Sequence, residues 1–127
     1  MKRQTAQWVL KAEEDIEVAR SLAADAKPKR DAVGFHCQQS AEKYFKALLQ
    51  DLGLSVPKIH DLEAIVDLLL PHDATLKPIR RGLKSLTRYA VEYRYPGRRA
   101  SGPQMQSALQ KAERVRLEIR TRLGLAP

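Results

Sequence analysis

The sequence predicts an all-α protein, an antiparallel four-helix up-and-down bundle with a short extra helix in its middle connection. Three observations favour this fold: apolar residues recur at spacings of three and four, strand-like alternation is nearly absent, and prolines and glycines separate the apolar stretches. The chain has 127 residues, the length of one domain, so we expect residues 1–127 to form a single helical domain.

The first two helices are each predicted from an apolar stripe with helix-ending residues on either side. The first spans about residues 5–25, and Pro28 breaks the chain after it. The second spans about residues 32–52, with Asp31 as its N-cap and Gly53 as a left-handed C-cap.

Three further helices complete the predicted bundle. The short middle helix spans about residues 61–70. The next helix keeps a steady heptad stripe from Leu76 to Tyr93 and ends before Pro96, because the residue before a proline is pushed towards an extended conformation. The last helix begins with capping-box spacing, Ser101 at the N-cap and Gln104 at N3.

Positive charge is concentrated in the second half of the chain. The formal net charge of +8 comes from residues 64–127, and the basic strip from Lys77 to Arg99 contains one acidic residue, Glu92. A one-sided field of this kind attracts polyanions such as RNA or DNA, or an acidic partner. The same pattern also suits a solvated, solubilising helix face.

Several protein classes are excluded by composition. No apolar stretch approaches the ~20 residues of a membrane span, and the polar segment from Met1 to Gln7 is unlike a secretory signal. One cysteine, Cys37, cannot form an internal disulfide, which fits a reducing cytoplasm. The histidines and Cys37 lack metal-ligand spacing and there is no glycine-rich phosphate loop, so we expect no metal and no cofactor.

The run from Phe35 to Leu49 contains the main candidate ligand-binding residues. Helical spacing places His36, Gln39, Lys43 and Lys46 close to one stripe beside the apolar one. Imidazole, amide and ammonium groups together can bind a phosphate or the edge of a nucleobase. The alternative is that the glutamine, glutamate and lysine side chains of this run make structural hydrogen bonds between helices and pair with Asp15 or Arg94.

Asp15 and Arg94 can likewise be interpreted as a structural pair or as part of a ligand site. Asp15 lies on the apolar stripe of the first helix, where a buried carboxylate needs a cation or several donors. Arg94 is one predicted partner for it; alternatively, Arg94 holds a phosphate while Tyr95 stacks on a base. His60 is expected to cap or orient the short helix. The predicted structural polar network consists of Asp15, Glu42, His60 and Asp61.

Four stretches then carry a family resemblance. They are Trp8 with Ala12 and Asp15, the run Phe35–Leu49, His60-Asp61-Leu62, and Tyr93-Arg94-Tyr95-Pro96. Together they resemble HEPN domains, small helical domains often described as nucleotide-binding. The resemblance implies a four-helix bundle that usually forms homodimers. For many prokaryotic members it also implies a minimal nucleotidyltransferase, encoded alongside, as partner in a toxin–antitoxin pair.

A large subset of that family are metal-independent ribonucleases, with an arginine followed a few residues later by a histidine in the C-terminal half. This chain departs from that pattern, because its last histidine is His72. Arg30 and His36 have the right order and separation, but they lie at the start of the second helix. They are therefore weak candidates for catalytic residues.

The first functional hypothesis is a non-enzymatic, dimeric module that works with a protein partner or binds a nucleotide. Its predicted ligand-binding residues are His36, Gln39, Lys43, Arg94 and Tyr95. The alternatives are a ribonuclease toxin using Arg30 and His36, and RNA or DNA binding through the basic strip.

Overall fold

A computed structural model describes all 127 residues and contains five α-helices and no strand. The helices are α1 (Arg3–Ala23), α2 (Arg30–Asp51), α3 (Leu62–Leu69), α4 (Leu83–Val91) and α5 (Gly102–Arg122). Helices α1, α2, α4 and α5 form the bundle, and α3 lies in the middle connection, which confirms the predicted all-α class. No helix combines the length and apolar character that a bilayer crossing requires.

Helix α2 is the centre of the bundle and packs against each of the other four helices. It buries 13 of its 22 residues, whereas α1 and α5 bury a single stripe each. A helix that is surrounded on most sides must carry apolar or internally paired side chains around most of its circumference. Accordingly, the buried Glu42 of α2 pairs within the helix with the buried Lys46, and Lys43 pairs with Asp15 of the neighbouring α1.

Several predicted helix ends are confirmed. The capping box at Ser101 and Gln104 forms through both of its hydrogen bonds, and Gly53 adopts the left-handed conformation. Helix α2, however, begins at Arg30, with Lys29 as its N-cap, so the prediction of Asp31 as the N-cap is wrong. The Asp31 carboxylate instead accepts a hydrogen bond from the backbone N–H of Ala100 at 2.7 Å, which ties the start of α2 to the loop before α5.

The predicted continuous stripe from Leu76 to Tyr93 is interrupted. A 3-10 helix spans Ala74–Arg80, the chain turns at Gly82 with φ of 87°, and α4 starts afterwards. Glycine enters this left-handed region without the penalty that a Cβ would bring, so the turn resets the helix direction. The Gly82 turn thus places the beginning of α4 against α5.

Candidate functional site

Two separate polar clusters lie along α2. In the first, the Nδ1 atom of His36 lies 2.9 Å from one Asp15 carboxylate oxygen, and Lys43 donates to the other at 2.5 Å. Asp15 is 9% exposed, and a carboxylate buried to this degree requires a cation, which Lys43 supplies. His36 and Lys43 are seven residues apart and share one face of α2, and Asp15 of α1 lies between them.

The contact with Asp15 indicates which ring nitrogen of His36 donates a hydrogen bond. A carboxylate only accepts hydrogen bonds, so Nδ1 of His36 carries a proton. The Nε2 atom makes no hydrogen bond within the protein. The imidazole is therefore held by its Nδ1 side, and its Nε2 side is free for a ligand.

Arg94 is not the partner of Asp15, so that prediction is wrong. Its side chain is exposed, and its guanidinium carbon lies 5.6 Å from the centre of the Phe35 ring. No carboxylate oxygen lies within 4.0 Å of it. Arg94 follows α4 and lies over Phe35, whereas Asp15 of α1 is held by His36 and Lys43.

His36 and Arg94 instead line one open hollow of about 350 Å³, which we call the His36 groove. The remaining lining residues come from the first two turns of α2, from the end of α4 and from the 3-10 turn Glu92–Arg94 that follows it: Asp31, Ala32, Phe35, Tyr89 and Tyr93. Gln39, Lys43 and Tyr95 do not line this groove, although they share its neighbourhood in sequence. Lys43 connects to it only through Asp15.

The aromatic residues of the His36 groove form a wall. The rings of Tyr89 and Tyr93 stack with their centres 4.5 Å apart. The guanidinium carbon of Arg88 lies over the Tyr93 ring, 5.4 Å from its centre. Burial raises the pKa of Tyr89 to about 12, so its hydroxyl stays neutral. Tyr95, the predicted stacking residue, is 67% exposed and lies outside the groove.

The second polar cluster surrounds Glu42, which is 4% exposed. Lys46 contacts one carboxylate oxygen at 3.0 Å, and His60 and Gln38 contact the other at 2.8 Å and 3.0 Å. The Gln38 side chain also accepts a hydrogen bond from Gln39 at 2.7 Å. This cluster is closed, because both carboxylate oxygens are occupied by protein donors.

The four residues predicted to form one polar network are therefore divided. Asp15 belongs to the first cluster, and Glu42 and His60 belong to the second. Asp61 belongs to neither, since its carboxylate caps α3 by accepting from the backbone N–H of Ala64 at 3.2 Å. The ring of His60 bonds to Glu42 and holds the segment before α3 against α2.

Basic residues that sequence reasoning did not group together line a neighbouring hollow of about 310 Å³. Lys29, Arg30 and Arg99 lie there, and the hollow shares Asp31 and Ala32 with the His36 groove. Arg30 thus lies next to the groove and not in it. None of these three cations has a carboxylate oxygen within 4.0 Å. Their grouping depends on the loop before α5 reaching the start of α2, which no local pattern indicates.

The basic strip from Lys77 to Arg99 is partly neutralised. Arg80 pairs with Glu63 and Asp67, and Arg88 pairs with Glu92. Its arginines at 94, 98 and 99 have no such partner, and neither do Lys77, Arg81 and Lys84, so unpaired positive charge lies both around the turn that follows α4 and around the turn that precedes it.

Comparison with known proteins agrees with this architecture. The HEPN domain family model matches residues 5–121. The crystal structure of an archaeal HEPN homologue has a TM-score of 0.73 and 23% sequence identity, and the match covers 96% of this chain and 98% of that one. Among curated proteins, none matches the sequence significantly. Since the family model covers nearly the whole chain, the protein belongs to the HEPN domain family.

Proposed function

We propose that this chain is a HEPN module that binds a nucleotide by its phosphate groups in the His36 groove. The observation that carries the proposal is an arginine without a carboxylate partner, Arg94, beside an imidazole whose orientation is set by Asp15. A guanidinium offers a planar pair of donors that matches phosphate oxygens. The groove volume of about 350 Å³ lies within the ~300–1,000 Å³ typical of small-molecule sites.

Replacing Arg94 with alanine is the direct test. We expect nucleoside triphosphate binding, measured by isothermal titration calorimetry, to weaken about ten-fold or more, since a charge-assisted phosphate contact is lost. Arg81→Ala is the matched control, because it removes the same charge from an exposed position outside the groove. Equal affinity of wild type and Arg94→Ala would contradict the proposed site.

The partner part of the proposal is supported by family membership and not by the groove. It consists of a homodimer and a complex with a minimal nucleotidyltransferase, together forming a toxin–antitoxin-type pair. Light scattering of the purified chain measures the first, and co-purification with a minimal nucleotidyltransferase from the same genome measures the second. A monomer that captures no such protein would leave nucleotide binding as the only role.

A second candidate function is a metal-independent ribonuclease, and one observation favours it. Asp15 holds His36 in the manner required of a general acid or base, while Arg94 lies in the same groove to stabilise charge on a phosphate. Arg94 then takes the role that sequence order suggested for Arg30.

If the chain is a ribonuclease, His36→Ala is expected to reduce RNA cleavage in EDTA about 100-fold or more, because acid–base catalysis is lost. His72→Ala serves as the control, since this exposed histidine lies away from the groove. Comparison of Arg30→Ala with Arg94→Ala identifies the phosphate-binding arginine. Cleavage that survives in His36→Ala would rule out this mechanism.

A further inference from the structure

A third hollow, of about 200 Å³, lies between α4 and α5 and contains a lysine held between two serines. The Lys111 ammonium donates to Ser85 at 3.0 Å and to Ser107 at 2.8 Å. Its aliphatic stem crosses the Gly82 turn so closely that a Cβ on Gly82 would lie 2.5 Å from the Cε atom of Lys111. The far end of the Lys111 side chain is therefore held by the two serines at its ammonium and lies against the Gly82 turn at Cδ and Cε.

Lys111 differs from every comparable cation in the chain. Eight lysines and arginines are buried or half-buried: Lys43, Lys46, Arg80, Arg88, Lys111, Arg116, Arg120 and Arg122. Seven of them have a carboxylate oxygen within 3.1 Å. Lys111 has two neutral hydroxyls and no carboxylate oxygen within 4.0 Å. A partly buried ammonium without a counter-charge lacks the compensation that burial normally requires.

The start of α4 increases this imbalance. Ser85 lies in the first turn of α4, and the N-cap residue Gly82 provides no side-chain cap. The N-terminus of a helix carries partial positive charge, where an anion is stabilised and a cation is not. The ammonium of Lys111 therefore adds positive charge to a place that already favours an anion.

The hollow also retains unused hydrogen-bond donors. Ser85 donates its own proton to the carbonyl oxygen of Gly82 at 2.9 Å, but the Ser107 hydroxyl only accepts, so its proton is free. An ammonium has three protons, and two of those on Lys111 go to the serines. Arg88, on the same wall, directs Nε and Nη2 to Glu92 and keeps Nη1 free.

From this geometry we propose that the hollow between α4 and α5 binds a small oxyanion of the phosphate type through Lys111 and Ser107. Its volume of about 200 Å³ is below the ~300 Å³ at which whole small-molecule ligands are usually enclosed, so it suits a single phosphate group. That group is either inorganic phosphate or the terminal phosphate of a larger molecule. Tyr89 and Tyr93 line both this hollow and the His36 groove, but Lys111 and Ser107 line only this hollow, and His36 and Arg94 line only the groove.

Titration of the full chain with inorganic phosphate at constant ionic strength tests the proposal. We expect saturable binding by calorimetry and a phosphate-dependent rise in Tm, with Lys111→Gln weakening the affinity about ten-fold or more. Ser107→Ala, a smaller change, is expected to weaken it less. Lys84→Gln removes an exposed lysine of α4 and should bind phosphate as the wild type does.

Two further arms complete the experiment. Arg94→Ala is expected to keep full phosphate affinity, which separates this site from the His36 groove. A nucleoside monophosphate that binds more tightly than phosphate, and loses that binding in Lys111→Gln, would identify a nucleotide phosphate as the source; binding of phosphate alone would identify the free anion. Wild-type affinity in Lys111→Gln, equal weakening in Lys84→Gln, or no saturable binding at all would overturn the proposal.

Discussion

Replacing Glu42 with alanine is expected to lower the free energy of unfolding by about 3–5 kcal/mol. The side chains of Glu42 and Lys46 are 5% and 6% exposed, so the substitution leaves an ammonium buried without its counter-charge. It also removes the acceptor for Gln38 and for the ring of His60. Urea denaturation followed by circular dichroism measures the loss.

Two comparisons separate this effect from a general loss of charge. Glu14→Ala removes a carboxylate from an exposed pair with Lys11, in which the side chains are 69% and 66% exposed, and is expected to cost less than about 1 kcal/mol. The double variant Glu42→Met with Lys46→Met removes both charges and is expected to recover most of the stability. A Glu42→Ala protein as stable as Glu14→Ala would contradict the buried-pair argument.

Replacing Gly34 with alanine is expected to destabilise the protein by about 3 kcal/mol, although this change normally stabilises a helix interior by about 1 kcal/mol. A Cβ at Gly34 would lie 2.1 Å from two carbons of the Tyr89 ring. Tyr89 is 4% exposed and stacked on Tyr93, so its ring cannot move aside without disturbing α4. A decrease in the free energy of unfolding for Gly34→Ala, where an increase is usual, is therefore the result that a denaturation experiment should show.

Gly102→Ala is the matched control for this prediction, because no atom lies within 4 Å of a Cβ at that position. It is expected to be neutral or mildly stabilising. Since Tyr89 lines both the His36 groove and the hollow at Lys111, Gly34→Ala is also expected to weaken ligand binding at both. Stabilisation by Gly34→Ala would mean that α2 and α4 are less tightly packed than described.

Helix existence and order were predictable because they depend on short-range features. The capping box at Ser101 and the extended residue before Pro96 each depend on residues no more than a few positions apart in the chain, and both are present. The break at Gly82 was missed although a glycine stood in the stripe, because the apolar spacing continues across it. A glycine inside a helical pattern is compatible with either outcome until its φ is known.

Side-chain partners across helices were harder to predict. The burial of Asp15 implied that a cation must reach it, but His36 and Lys43 supply that contact and Arg94 does not. Successive residues on a helix point about 100° apart, so a small change in rotation or register exchanges one partner for another. The sequence therefore indicated that Asp15 needs a cation and offered both Arg94 and the lysines of α2, and only the packing of the helices decides between them.

Local periodicity and capping were thus sufficient for the class of fold, the approximate helix boundaries and the presence of polar residues inside the bundle, since those forces act along the chain. Three features required the packed molecule: the placement of His36 and Arg94 in one groove, the closure of the cluster around Glu42, and the position of Lys111 between α4 and α5 without a carboxylate partner. Each of these joins residues from different helices or turns, and their distance is set by how whole helices lie against one another.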